Sequence, residues 1–508
     1  MNISAANLQR VRPPGKIEEL GVPAGLVEDL FLRRVLTERI TSISEVAELL
    51  NVTHPLADEL ASTLREKRLI EYLGASGRDY RIQLTELGHR TTTQRMVSGQ
   101  HVGGIPVALD DYQKIVAAQR SEVLLDRDLI KAAFEDLVLD HDLLDQIGPA
   151  FVGSGAMFLY GPAGTGKTSV AERLNRIFDD PVLIPHHIET DGQIISVFDP
   201  ALHRALEEQP DNIDRRWVLC ERPLIIVGGE LDMSMLDLYH DRVSGVNIAP
   251  IQLLANNGIL VVDDFGRQAI RPDAILNRWI VPLSRGIDFL KVSTGSKFTV
   301  PFELKLVIST NLEPTSLGDD AFLRRLRNKV YVGPITEEAF ITILKQAAAS
   351  YEVQLTTGAA EYLCEIARHR VGELRPYLAV DFCELTDAAC RYERTANVLN
   401  PDMVDRIADL YFVQDPAQAN PDEDAGPAAL LEEYDDQPLV EQWGHNGVER
   451  RRSATPVNWS DYEIGADDDG PLAGLDALAD TQSVEGAEPL DGVPAALQPS
   501  GSEGEASD

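Results

Sequence analysis

The run Gly161-Pro162-Ala163-Gly164-Thr165-Gly166-Lys167-Thr168 has the residue types and spacing to hold a chain of phosphates. Glycines let backbone N–H groups curl around an anion, and a helix opening at the loop's end adds the positive end of its dipole. Residues 156–160 ahead of it are an apolar strand run, and Ser169 opens a helical stretch behind it, the context such a loop requires. Lys167 would reach the outer phosphates of ATP, and the Thr168 hydroxyl would ligate Mg²⁺. A second apolar run, 259–262, ends in Asp263 and Asp264. A buried strand that exits on the phosphate side of a parallel sheet puts the first carboxylate where Mg²⁺ needs support. The second is then placed to orient or deprotonate a water. A third run, 306–310, ends in the amide of Asn311.

The pattern around these residues is that of an α/β fold, since from 157 to about 332 apolar strand runs alternate with amphipathic helices. That alternation builds a parallel sheet covered by helices on both faces. Helical periodicity without strands follows from 336 to 412 and reads as an α-helical lid. The segment 26–90 reads as a winged helix, with Val27, Leu30, Phe31 and Val35 on one helical face. A short second helix follows with a Ser44 cap, and a third carries Leu56, Leu60 and Leu64. Two strands, 69–73 and 80–84, joined by a glycine-bearing turn, complete it. The expected domains are a flexible arm (1–24), a winged-helix-like domain (25–95) and a helical linker (96–128). An ATPase core (129–333), a lid (334–413) and a disordered acidic tail (414–508) follow.

The chain's net charge of −36 is unevenly spread over its 508 residues. Residues 414–508 hold 23 Asp and Glu against Arg450, Arg451 and Arg452, which leaves the rest only mildly acidic. Such a body is a poor non-specific binder of nucleic acid, whose affinity for protein comes from clustered Lys and Arg. Residues 1–100 balance 13 basic against 13 acidic side chains, and the third helix exposes Asp58, Glu59 and Glu66. Docking to protein is therefore favoured over DNA for this module. Cys220, Cys364, Cys383 and Cys390 are scattered and read as reduced, buried thiols. No signal peptide and no stretch of 18 apolar residues is present, so a cytoplasmic protein without membrane insertion is expected. The insertion 179–251 holds His186, His187 and His203 without a metal-binding spacing, and reads as an elaboration facing a pore or a client.

Taken in order, the loop 161–168, the strand end 260–264, Asn311, the basic box 322–326 and Arg375 resemble the AAA+ ATPase superfamily. The resemblance spans roughly 129–412. It implies Walker A at 161–168, Walker B at 260–264, sensor 1 at Asn311 and sensor 2 at Arg375. It also implies an arginine finger at Arg324 or Arg325, given across a subunit boundary in a hexameric homo-oligomeric ring. The hairpin read at 289–300, just before sensor 1, is similar to the branch of MoxR-like chaperones and magnesium-chelatase subunits. The Gly-Ala-Phe-Thr-Gly-Ala loop of enhancer-binding activators is missing between 168 and 258. Most members carry Asp-Glu in Walker B, whereas Asp263-Asp264 withdraws the second carboxylate by about 1.5 Å, which suits a slow ATPase. The resemblance implies a remodeller of a protein client. The alternative is a nucleotide-gated regulator whose winged helix binds DNA or a partner.

Overall fold

Three apolar strand runs of the sequence become neighbours in one parallel sheet, which sets the geometry of everything at its edge. The computed structural model describes residues 10–77, 79–96, 99–120, 125–153, 155–316 and 327–412. The sheet runs Leu224–Val227, Ile259–Val262, Lys305–Thr310, Met157–Tyr160, Asn328–Tyr331, with every pairing parallel. Its inner strands carry unbroken apolar runs, Met157–Leu159, Ile259–Val262 and Leu306–Ile308, because both faces are covered there. Phe158, Leu260, Val262, Leu306 and Ile308 point into one core with Ile275, Leu276 and Trp279 of the helix Pro272–Arg285. Met157, Leu159, Ile259, Val261 and Val307 enter the other, against Val170, Ala171 and Leu174. The connection leaving Met157–Tyr160 runs to the far edge strand Leu224–Val227, whereas the one leaving its neighbour Lys305–Thr310 runs the opposite way to Asn328–Tyr331. Such a switch point opens a crevice at the carboxyl ends of the strands.

The N-terminal segment forms helices Ala24–Glu38, Ile43–Leu49 and His54–Glu66, then the strands Ile70–Ser76 and Asp79–Leu84, which pair antiparallel with each other, while Ile40–Ser42 pairs antiparallel with the free side of Asp79–Leu84. Leu56, Leu60 and Leu64 are fully buried, as their spacing requires. The second helix begins earlier than its sequence suggests. Ser42, not Ser44, caps it, accepting from Glu45 N at 3.2 Å while Glu45 Oε2 accepts from Ser42 N at 2.9 Å. This reciprocal box satisfies two otherwise orphaned donors, so it outcompetes a single hydroxyl two residues on.

Two expectations are corrected here. From Arg10 onward the arm is packed rather than loose: Val11 enters the main core, its carbonyl accepts from Asp214 N at 3.1 Å, and Leu20 is fully buried. The stretch 96–128 is also more than a helical connection. Val107–Ala108 pairs parallel with His187–Thr190 and completes a second five-stranded sheet made from the insertion. That sheet packs against the N-terminal module. Ile194 and Val246 belong to the same buried cluster as Leu50, Val52 and Leu60. Arg216, ion-paired to Asp214 at 2.7 Å, donates to Leu20 O and Pro106 O. Burying a guanidinium is tolerable only when its donors are met in this way.

The hairpin is present as Ile287–Lys291 paired with Lys297–Pro301. Helices Glu337–Ser350, Thr357–Val371, Pro376–Glu393 and Pro401–Tyr411 form the C-terminal unit. A two-residue parallel pair, Gln354–Leu355 with Val398–Leu399, adds a strand contact that periodicity did not signal. Among the described residues no helix is long and apolar enough to cross a membrane. Residues 413–508, the acidic tail, lie outside the described residues.

Candidate functional site

The loop after Met157–Tyr160 turns sharply enough that only glycine fits where it starts. Gly161 has φ of +149°, and a Cβ there would stand 2.2 Å from Val332 O. The loop ends on Gly166, in the left-handed region at φ +92°, and the helix Lys167–Arg173 begins at once. Lys167 is 6% exposed and donates from Nζ to Gly161 O at 3.0 Å and Pro162 O at 2.6 Å. Burial lowers its pKa, while Asp263 and then Asp264 pull it back up. Thr165 Oγ1 donates to Pro162 O at 3.0 Å. Ala163 and Gly164 form the exposed crest of the loop, and Ser169 lies in the helix's first turn.

The hydroxyl of Thr168 donates to Asp263 Oδ2 at 2.7 Å. Thr168 sits in the helix that follows Met157–Tyr160 and Asp263 follows Ile259–Val262, two strands separated by Lys305–Thr310, so the bond crosses the carboxyl edge of the sheet. The other Asp263 oxygen accepts from Asp264 N at 3.0 Å. Asp264 has φ of +47°, an uncommon conformation for a residue with a side chain. Gln268 holds that turn: its Nε2 reaches Asp263 O at 3.1 Å and Asp264 O at 3.3 Å, and its Oε1 accepts from Gly266 N. Asn311 Nδ2 donates to Asp264 Oδ1 at 2.9 Å. Thr310 Oγ1 donates to Phe265 O at 2.6 Å, tying the turn to the same strand end.

Arg375 caps the helix Pro376–Glu393 and reaches back, donating from Nη1 to Ala163 O at 3.1 Å. Its other terminal nitrogen pairs with Glu373 at 2.6 Å. Arg324 and Arg325 lie outside the described residues. The fold thus gathers Lys167, Thr168, Asp263, Asp264, Asn311 and Arg375 at one edge. Sequence reasoning missed Gln268, which had a faint signal as a polar side chain just past Gly266.

The donor set suits the group it was read for. A hydroxyl and a carboxylate sharing a hydrogen bond are hard oxygen ligands of the kind Mg²⁺ takes, and the glycine turns with Lys167 suit a triphosphate. The insertion's histidines do not form a metal site. His203 Nδ1 accepts from Asp199 N at 3.0 Å while its Nε2 bonds Leu254 O, so both nitrogens serve the fold. Among the described residues no group of three His, Cys, Asp or Glu could hold a metal.

Residues 336–409, the C-terminal helical unit, match a family described as a domain of unknown function, DUF8689. No curated protein matches the chain. Among solved structures it is similar to the Thermotoga maritima RuvB Holliday junction branch migration motor. That likeness has 14% identity, covers 58% of this chain and 74% of that one, and gives a TM-score of 0.32. A mutant of the same motor matches at 13% identity, over 58% and 73% of the two chains, with a TM-score of 0.32.

Proposed function

We propose that this chain is an AAA+ protein that binds ATP with Mg²⁺ and hydrolyses it. The observation that carries the reading is the Thr168–Asp263 hydrogen bond, which joins the loop to the strand-end carboxylate across an intervening strand. In this reading Lys167 and the loop N–H groups hold the phosphates, and Thr168 with Asp263 holds Mg²⁺, which neutralises charge on the phosphate oxygens. Asp264 accepts the proton of the attacking water, and Asn311 keeps that carboxylate aimed. The shorter reach of Asp264 makes the enzyme slow. Arg375 from the lid and Arg324 or Arg325 from a neighbouring subunit stabilise the developing charge. The chain works as a cytoplasmic, ring-forming homo-oligomer on a protein client.

A second reading, the nucleotide-gated regulator, draws support from the packing of the N-terminal module onto the insertion. A module built into the body is suited to report its nucleotide state. Stimulation of turnover by a protein partner supports the first reading, and stimulation by duplex DNA supports the second.

The test is a pair of variants in equilibrium nucleotide binding and phosphate release. Lys167→Ala should lose ATP binding, because the loop loses its phosphate-reaching cation. Asp264→Asn should bind as wild type does and lose turnover. Wild-type binding by both variants, with turnover intact, sinks the site assignment.

A further inference from the structure

Two residues of the lid lie against the phosphate-binding loop, and one of them carries no charge. Next to the Arg375 contact with Ala163, the ring of Tyr377 packs on Gly164. A Cβ at Gly164 would stand 2.1 Å from Tyr377 Cδ1 and 2.6 Å from Cε1, so ring and loop backbone are in direct contact with nothing between them. The loop motif needs glycine at 161 and 166, but not at 164. The close ring and a φ of +77° together account for glycine there. Pro376 at the first helical position stiffens the chain next to the ring. Behind it stands Tyr411, with centroids 6.5 Å apart, itself anchored by its hydroxyl on Asp381 Oδ2 at 2.6 Å. The ring is thus carried by one lid helix and has a neighbour on a second, so movement of that part of the lid takes it away from Gly164.

Resting on the reading of this loop as a triphosphate site, we propose that Tyr377 gates it. A neutral ring offers a triphosphate no charge partner, yet it rests against Gly164 at the exposed crest of the loop whose N–H groups would hold the phosphates. Nucleotide enters and leaves when the lid lifts the ring from Gly164. Lid motion, and not the affinity of the loop, then sets the rate of exchange. Arg375 belongs to the same segment, so lifting the ring also withdraws its hydrogen bond from Ala163.

The experiment is stopped-flow binding of N-methylanthraniloyl-ATP with Mg²⁺ to the full chain. Tyr377→Ala should raise the association and dissociation rates together, on the order of tenfold, with Kd nearly unchanged. Tyr377→Phe should keep wild-type rates, since the hydroxyl is not in the contact. Tyr377→Leu preserves apolar support for Tyr411, should give intermediate rates, and carries the test if the alanine variant does not fold. Wild-type rates in the alanine or leucine variant overturn the gate. So does faster dissociation alone with weaker Kd, which makes Tyr377 a contact of the bound nucleotide. Absence of binding by the wild type removes the triphosphate reading itself, and the gate with it.

Discussion

Asn311 touches the candidate site through one hydrogen bond, to Asp264 Oδ1, and that bond determines what its loss should do. Without it the Asp264 carboxylate is free to rotate, while Lys167, Thr168 and Asp263 keep their partners. Misplacing a reacting group by about 1 Å costs on the order of a hundredfold in rate. Asn311→Ala should therefore lower turnover by about that factor and leave ATP affinity alone, as steady-state kinetics beside equilibrium binding will tell. A change in affinity equal to the change in rate would mean that Asn311 contacts nucleotide directly. Thr168 differs, since its hydroxyl is shared with Asp263. Thr168→Ala should raise the Mg²⁺ concentration needed for half-maximal turnover, and a magnesium titration reads it.

At the scale of elements, the junction between the N-terminal module and the insertion holds two features that a measurement can reach. Arg216 and Asp214 are both nearly inaccessible, and Arg216 also serves two backbone carbonyls. Arg216→Ala leaves Asp214 as a buried, unpaired charge and should cost about 3–5 kcal/mol in denaturant unfolding. The second feature is a pair of histidines, His101 and His187, with ring centroids 4.8 Å apart. His101 Nε2 and His187 Nδ1 are buried without a hydrogen-bond partner. Burial pushes His101 down to about 4, with Arg33 and Arg34 adding to the effect. Burial pushes His187 down to about 3, with His101 and His186 adding. The unfolded chain takes up these protons near pH 6.5 and the folded chain does not. The stability tied to the neutral pair is thus complete above pH 6.5 and drains away as the pH falls towards 4 and then 3. Each histidine contributes a slope of up to about 1.4 kcal/mol per pH unit in that window. His187→Phe should flatten the fall in melting temperature between pH 6.5 and 4. An unchanged slope would place the acid sensitivity elsewhere.

For the whole molecule, the proposed ring makes activity a property of assembly. Turnover per subunit should fall on dilution into the range where the ring dissociates, and size measurement at the same concentrations should follow it. Arg325→Ala mixed with Lys167→Ala should regain part of the activity that each lacks alone, because one subunit brings an intact loop and the other an intact finger. Full turnover by a dilute monomer excludes that arrangement. Deleting 414–508 should leave basal turnover and assembly as they are, since that stretch holds none of the candidate site's residues.

What could be read along the chain is what local chemistry dictates. A phosphate loop needs glycines, a lysine and a helix start within eight consecutive positions, so 161–168 declares itself. Parallel strands buried on both faces carry unbroken apolar runs, which marks 259–262 and 306–308 and makes the polar residues that follow conspicuous. Spacing of four residues, one helical turn, did the same for Leu56, Leu60 and Leu64. Strand order left no such trace, because any permutation of apolar strands satisfies the same burial. Only the folded sheet brings Thr168 to Asp263. The arm, Val107–Ala108 and the insertion read as flexible arm, helical linker and an elaboration facing a pore or a client for a related reason. Their partners lie far along the chain: Val11 with Asp214, Val107 with Ile188, Leu20 with Arg216. Tyr377 was silent too, for a ring in a helix's first turn reads as ordinary lid packing until folding sets it on Gly164. Periodicity records the face an element must bury, and only tertiary structure decides which distant element covers it.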